Sequence, residues 1–378
     1  MKKLVLTLTF LLTFANAHAL NIKAKAYVLK DINTGKVLAS KNANVYLPPA
    51  STTKLMTLYL LFEKVSSGEL KLTDRLPVSK RAWKKGGSKM FLDPGSKIRV
   101  VDLIKGISVS SGNDASTVVA EYIGGSEKEF VTLMNRKARE LDMTRTNFVN
   151  PTGWDNKGHV STAHDLAIIG ERIIKDFPEY YKVFGLKSFK HNGIRQYNKN
   201  TLLGKFGVDG LKTGHVRSIG YNIVSSAKQN QLRYLVVLLG AKNKKARETE
   251  VKKLYEYAYN KYKNVKILSA AETVAQTQVY LGSNRFIDLG VENDLYMNLT
   301  QKEYDSLSSS VEYYPITNAP VHIGQALGHI KIKYDGLEVP KIINLVAKTT
   351  SPILPISQKI QEMIKYKFNK FTYFSNIQ

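Results

Sequence analysis

The chain has 378 residues, with 56 Lys and Arg against 31 Asp and Glu, a formal net charge of +25 and no cysteine. That length allows two domains and a sizeable core, the missing cysteines exclude a disulfide-stapled scaffold, and the charge calls for an anionic partner or surface. No nucleic-acid partner is expected, because no recognition motif with interleaved aromatics accompanies the lysines.

Residues 1–19 predict a secretory signal: Lys2 and Lys3, an apolar run from Leu4 to Phe14, then the small-x-small site Ala17-His18-Ala19. The run is too short to span a bilayer, and no other stretch of about 18 apolar residues exists. An exported chain without disulfides suits a bacterial envelope. There, anionic lipid or wall polymer would meet the lysines, although a lysine-rich surface kept for solubility has the same composition.

Ala24 to Ser40 reads as a hairpin turning at Asp31-Ile32-Asn33-Thr34-Gly35. It delivers the chain to Pro49-Ala50-Ser51-Thr52-Thr53-Lys54-Leu55-Met56-Thr57, which opens a nearly wholly apolar run ending near Phe62, the pattern of a buried helix. Ser51 and Lys54 are three residues apart, so at a helix start both side chains lie on one face. A partly desolvated lysine can then take the hydroxyl proton, and the helix N-terminus favours a developing oxyanion. Ser-x-x-Lys alone also describes an N-cap serine beside a solvated lysine. The chain holds a second copy at Ser225 and Lys228, but in a probable strand, where residues three apart face opposite ways.

Polar residues 68–100 carry loop signals at Gly86-Gly87-Ser88 and Pro94-Gly95, and a helical pattern follows from Val101 to about Ser108. Ser111-Gly112-Asn113-Asp114 then interrupts two apolar helical segments, with Ser110-Ser111-Gly112-Asn113 read as a pocket rim. Capping boxes predict helices from about Glu127 to Leu141 (Ser126, Glu129) and from about Ala163 (Thr162, Asp165). Past residue 200, Tyr221–Ala227 and Leu232–Leu239 flank polar Lys228–Gln231 as an antiparallel hairpin, with Leu211-Lys212-Thr213-Gly214-His215 at its edge. A helix is expected from about Lys244 to Tyr262. Helices gathered on an antiparallel sheet predict an α+β catalytic domain.

Short strands separated by turns from Val265 to Ala347 predict a small all-β domain. After a proline-bearing linker, Ile356, Ile360, Met363, Ile364, Phe368, Phe371 and Phe374 fall on one helical arc, with Lys359, Lys365 and Lys370 outside it and Lys367 inside. A basic helix with an aromatic apolar face predicts membrane-surface binding, and a helix packed on its own domain shows the same stripe. The expected domains are residues 1–19, 20–263, 264–350 and 351–378.

Ser-x-x-Lys, Ser-x-Asn and Lys-Thr-Gly, in that order and in helix-start, interhelical-loop and strand contexts, mark class A β-lactamases and penicillin-binding proteins. With Phe148-Val149-Asn150-Pro151, Ser161-Thr162-Ala163 and Gly324-Gln325-Ala326-Leu327-Gly328, the chain resembles the low-molecular-mass penicillin-binding proteins that are serine-type D-alanyl-D-alanine carboxypeptidases, over nearly everything after the signal. The resemblance implies a catalytic domain of the serine β-lactamase and penicillin-binding-protein fold, followed by the β domain and the amphipathic helix. It implies that Ser51 is the nucleophile, Lys54 its base and Ser111 a proton relay to the leaving D-alanine. Asn113 would bind the substrate amide, Lys212 would support charge, and Thr213 and Arg247 would receive the terminal carboxylate. The backbone N–H groups of Ser51 and His215 would form the oxyanion hole.

The implied partners are peptidoglycan stem peptides ending in D-Ala-D-Ala, β-lactam antibiotics and the membrane surface. The implied place is the periplasm, on the outer face of the inner membrane, and no cofactor is expected. Two positions depart from the pattern: Val216 replaces a frequent threonine, with Arg217 beside it, and Thr152 a frequent histidine. A β-lactamase or DD-endopeptidase shares the core motifs. A zinc peptidase would need clustered ligands such as His-Glu-x-x-His, and a Ser-His-Asp hydrolase a Gly-x-Ser-x-Gly elbow, and neither occurs. A wall-binding protein without activity predicts damaged motifs, and all three are intact.

Overall fold

The computed structural model of the protein describes residues 2–5, 20–229 and 232–364. They form two compact units, residues 20–259 and residues 260–364, the second including Lys2–Val5. The first is α+β and the second β-rich, as the sequence predicts.

The first unit is built on a five-stranded sheet in the order Val37–Lys41, Ala26–Asp31, Leu232–Ala241, Gly220–Gln229, Val208–Val216. All neighbours pair antiparallel. The strand Leu232–Ala241 is buried on both faces from Tyr234 to Leu239, which is why it reads as a continuous apolar run instead of an alternation. Leu235, Val237 and Leu239 join the main core with Ala26, Val28 and Val224, against Leu166, Ile169 and Ile173 of the helix Ala163–Asp176. On the other face Tyr234 meets Tyr259 of the helix Lys244–Lys261, ring centroids 4.9 Å apart.

The helix Lys54–Ser66 runs through the core, with every residue from Lys54 to Phe62 buried. Each buried Leu or Phe there contributes roughly 1.5–3 kcal/mol relative to exposure. The predicted N-caps at Ser126 and Thr162 form, each hydroxyl accepting from the N–H three residues on, Glu129 at 3.1 Å and Asp165 at 3.0 Å, but the reciprocal half of a capping box is not seen at either among the described residues, and Asp165 Oδ2 instead accepts from Arg145 N and Thr146 Oγ1. The expected helix from Val101 is shorter, Val100–Lys105, and passes into one π-helical turn, Gly106–Ser110. That widened turn delivers Ser111 in the left-handed region, φ 63°. The predicted hairpin forms as Gly220–Gln229 and Leu232–Ala241, its residues 230–231 lying outside the described set.

The second unit centres on a seven-stranded sheet, with Val279, Ile287, Leu289, Val311, Ile330, Ile332 and Leu345 in its core. Of the segment read as a signal, Lys2–Val5 pairs antiparallel with Ser310–Tyr313, and residues 6–19 lie outside the described set. Residues 356–364 are helical, with Ile356, Ile360, Met363 and Ile364 between 47% and 78% exposed. The rest of the expected tail helix, with Phe368, Phe371 and Phe374, lies outside the described residues. No described helix is long and apolar enough to cross a membrane.

Candidate active site

Ser51 does not begin the α-helix itself. It sits in a 3-10 turn, Ala50–Thr53, and the helix starts at Lys54. Ala50 enters the turn with φ 51°, a left-handed conformation that costs an alanine about 1 kcal/mol or more and is held here by its surroundings. Thr52 Oγ1 donates to Pro49 O at 2.7 Å, and Thr57 Oγ1 to Pro151 O at 2.7 Å, pinning the turn and the first helical residues.

Lys54 Nζ lies 3.2 Å from Ser51 Oγ, 2.7 Å from Asn113 Oδ1 and in contact with Thr152 O. A neutral amine has two hydrogens and one lone pair. Two carbonyl acceptors and one hydroxyl match that inventory: the hydrogens go to Asn113 and Thr152, and the lone pair faces the Ser51 hydroxyl. Burial, then the Lys199 ammonium, lower the Lys54 pKa to about 7, against a smaller opposing pull from Asp114.

Asn113 Nδ2 donates to Gly86 O at 2.7 Å, so its Oδ1 is aimed at Lys54. Ser111 Oγ is buried without a hydrogen-bond partner among the described residues, as is Arg247 Nε. Both are donors that an occupant of the cleft would satisfy. Lys212 is buried, donates to Thr213 O at 3.1 Å, and is pushed well below its ordinary pKa by burial, then by Lys54, Lys199 and Arg247. Arg247, 3% exposed, donates to Lys199 O at 3.3 Å and stands 3.8 Å from Glu248.

Lys54, Lys212, Lys199 and Arg247 thus crowd one cleft. The carboxylate of Asp114 beside them already accepts from the backbone N–H groups of Met90, Phe91, Leu92 and Ala115. The cluster is short of an anion, which a substrate carboxylate would supply.

The edge strand Val208–Val216 carries Lys212, Thr213 and His215 past the nucleophile. A Cβ on Gly214 would sit 3.1 Å from Pro49 O, Ala50 Cβ and Ser51 N, so glycine lets strand and turn touch. The His215 ring lies out on Tyr221, centroids 4.2 Å apart. Val216 is buried and its methyls offer no hydrogen bond, while Arg217 is exposed beyond the strand end. Thr152 meets Lys54 through its backbone carbonyl, so the departure at this position leaves that contact intact. Ser225 stands in a strand, its hydroxyl accepting from Tyr255 at 2.9 Å, while Lys228 is exposed.

Three participants went unread in the sequence. Asp114 fixes the backbone of residues 90–92, and its signal is a carboxylate opening the buried stretch Ala115–Ala120. His159 accepts from Val149 N at Nδ1, 2.9 Å, so Nε2 carries the hydrogen donated to Thr53 Oγ1, 2.8 Å. Burial, then Lys54, lower its pKa to about 4 and keep it neutral. Lys199 reaches Ser88 Oγ from a different loop, with no motif to announce it.

The model of the peptidase S11 family, "D-alanyl-D-alanine carboxypeptidase", matches residues 13–243, and that of "Penicillin-binding protein 5, C-terminal domain" matches residues 262–352. D-alanyl-D-alanine carboxypeptidase DacA of Escherichia coli K12 is 38% identical over 358 residues, 89% of each chain. Penicillin binding protein 5 from Haemophilus influenzae is 34% identical with a TM-score of 0.75, covering 89% of this chain and all of that one. Penicillin-Binding Protein D2 from Listeria monocytogenes, solved in an ampicillin-bound form, is 28% identical with a TM-score of 0.59, covering 64% of this chain and all of that one.

Proposed function

The chain belongs to the peptidase S11 family of serine-type D-alanyl-D-alanine carboxypeptidases, penicillin-binding proteins that act on peptidoglycan, and on that premise we propose how its residues divide the reaction. Neutral Lys54 takes the Ser51 proton as Oγ attacks the carbonyl of the penultimate D-alanine. The backbone N–H groups of Ser51 and His215 hold the oxyanion, worth about 3–4 kcal/mol per donor. The C–N bond then breaks, and the leaving D-alanine takes its proton through Ser111. Asn113 binds the substrate amide, Lys212 supports charge, and Thr213 and Arg247 hold the terminal carboxylate. Water releases the shortened peptide from Ser51, whereas a penicillin, whose opened ring keeps its leaving group attached, stays as the acyl-enzyme.

The observation that carries this reading is the set of three contacts at Lys54 Nζ, which suits a base poised on Ser51 and no solvated lysine. A labelled penicillin should modify Ser51, located by mass spectrometry, and Ser51→Ala should remove both the label and D-alanine release. A label on Ser111 or Ser225 would reject the assignment.

We further propose an exported enzyme, bound at the outer face of the inner membrane by its C-terminal helix. The exposed Ile356, Ile360, Met363 and Ile364 support an apolar face turned outward. Deleting residues 356–378 should shift the protein to the soluble periplasmic fraction with activity on a small peptide unchanged. Binding of the full chain to anionic vesicles should weaken in salt, by about 1 kcal/mol per lysine near the surface. A full-length protein that stays soluble, or a truncated one that loses folding stability, sinks the proposal.

A further inference from the structure

The outer face of the seven-stranded sheet breaks its own pattern at one end. Along the strands Ala275–Tyr280 and Phe286–Gly290 the core takes Thr277, Val279, Ile287 and Leu289, so the residues between them face outward and should be polar. Gln276 and Asp288 obey, paired across the two strands and joined by a hydrogen bond of 2.9 Å. One step toward the turn the rule fails. Gln278 pairs with Phe286 on one side and with Ile316 of the edge strand Ile316–Asn318 on the other, and cross-strand partners share a face. Phe286 and Ile316 are 57% and 54% exposed, flanking Gln278 across about 10 Å. Tyr314, two residues before Ile316, is exposed as well.

This apolar end is also where the chain runs into the tail helix. The turn after Tyr280 is bonded to the segment that leads there: Ser283 N–H donates to Pro352 O at 2.8 Å, Leu354 N–H to Leu281 O at 2.9 Å, and Ser351 Oγ to Asn284 O at 2.9 Å. Gly282 bridges to Ile353, itself exposed. Three residues span no more than about 11 Å, so Ile356, the first outward apolar residue of the helix, starts within reach of this turn. Residues 281–286, 314–318 and 350–356 contain no Asp or Glu and one cation, the exposed Arg285. The apolar side chains of the sheet and of the helix therefore begin at the same end of the unit, with no carboxylate between them.

We propose that Phe286 and Ile316, with Tyr314 beside them, are a second membrane contact, a foot of the β-rich unit that enters the headgroup layer next to the tail helix. It rests on the membrane reading of that helix given above. Aromatic and aliphatic side chains bordered by a cation and free of carboxylates suit the boundary of an anionic bilayer, where apolar area is buried and negative charge is repelled. An exposed apolar patch on an otherwise polar sheet face marks a surface that something covers, and here the neighbouring helix brings the bilayer to it. A helix alone is a tether about which the unit can swing. Two contacts side by side fix its tilt.

The chain has no cysteine, so Phe286→Cys, Ile342→Cys and Ile360→Cys each give one site for an environment-sensitive fluorophore. Ile342 is the control: it is 59% exposed on the same sheet, on the strand Lys341–Ala347, whose Ala347 pairs with Leu289 and whose start runs away from the turn. With full-length protein on vesicles of phosphatidylethanolamine and phosphatidylglycerol, labels at 286 and 360 should shift to shorter wavelength and be quenched by nitroxide lipid, and the label at 342 should do neither. Replacing Phe286→Ser and Ile316→Ser together should weaken vesicle binding about tenfold, with the melting temperature unchanged because both side chains are exposed, and Ile342→Ser should change binding less than about twofold. A label at 286 that stays in water while the one at 360 enters lipid overturns the foot and leaves the tail reading standing. A label at 360 that stays in water overturns both. A label at 286 that is shielded without vesicles and freed by deleting residues 356–378 also overturns the foot, because the tail would then cover the patch itself, as does a double variant that binds within about twofold of the unmodified protein.

Discussion

Lys54→Met should cut penicillin acylation of Ser51 by about a thousandfold while the protein stays folded. General-base contributions run from about a hundredfold to ten-thousandfold, and no other group among the described residues contacts Ser51 Oγ as an amine does. Methionine fills a similar length with an apolar chain, so the substitution removes a buried polar group without opening a large cavity. In the unmodified protein the same base sets the pH dependence. Lys54 works only as the neutral amine, so below its pKa of about 7 the acylation rate should fall close to tenfold per pH unit, and above it the rate should level off. Lys199→Met removes a cation that favours the neutral form, so the Lys54 pKa should rise and the acidic limb should move to higher pH. Stopped-flow acylation against pH checks both. A limb that stays in place in Lys199→Met rules out Lys199 as an influence on Lys54, and a Lys54→Met protein that acylates normally removes Lys54 as the base.

The parts of this site that were legible in the sequence are those that local geometry settles. Ser51 and Lys54 meet because three residues in a helical turn bring side chains to one face, and the capped helices at Ser126 and Thr162 form because hydroxyl and N–H are three residues apart. The sheet was legible in its apolar runs, since a strand buried on both faces, as Leu232–Ala241 is from Tyr234 to Leu239, reads as a continuous apolar run. What stayed hidden is carried by groups without a residue signature or far away in the chain. Thr152 reaches Lys54 through a backbone carbonyl 98 residues on, which no side-chain motif could mark. Asn113 was read as a binder of substrate, and its second task, orienting the Lys54 amine from 59 residues away, appears when the fold closes. The positive φ of Ala50 and Ser111 likewise belongs to the assembled site, because nothing in an alanine or a serine calls for that conformation. His159 went unread because its partner Thr53 lies 106 residues away, and its hydrogen bond there forms when the fold closes.

Arg247→Ala should lower kcat/KM for a D-Ala-D-Ala peptide by about a hundredfold to a thousandfold, and leave a thioester substrate lacking the terminal carboxylate within about fivefold. The guanidinium is 3% exposed, its Nε has no partner among the described residues, and its nearest carboxylate, Glu248, is 3.8 Å away. A buried, under-partnered fork of this kind is suited to one bidentate carboxylate, and removing one member of such a pair costs about 3–5 kcal/mol. Penicillins carry a carboxylate too, so acylation by them should fall with the peptide reaction and not with the thioester. Arg247→Lys should recover part of the loss, because it restores the charge without the planar fork. The alternative is structural, since Arg247 also donates to Lys199 O and so ties the helix Lys244–Lys261 to the loop beside the cleft. A loosened loop would slow every substrate alike. Losses of equal size on peptide, penicillin and thioester would therefore assign Arg247 to the scaffold, and a loss confined to the carboxylate-bearing pair would assign it to recognition of the terminal D-alanine.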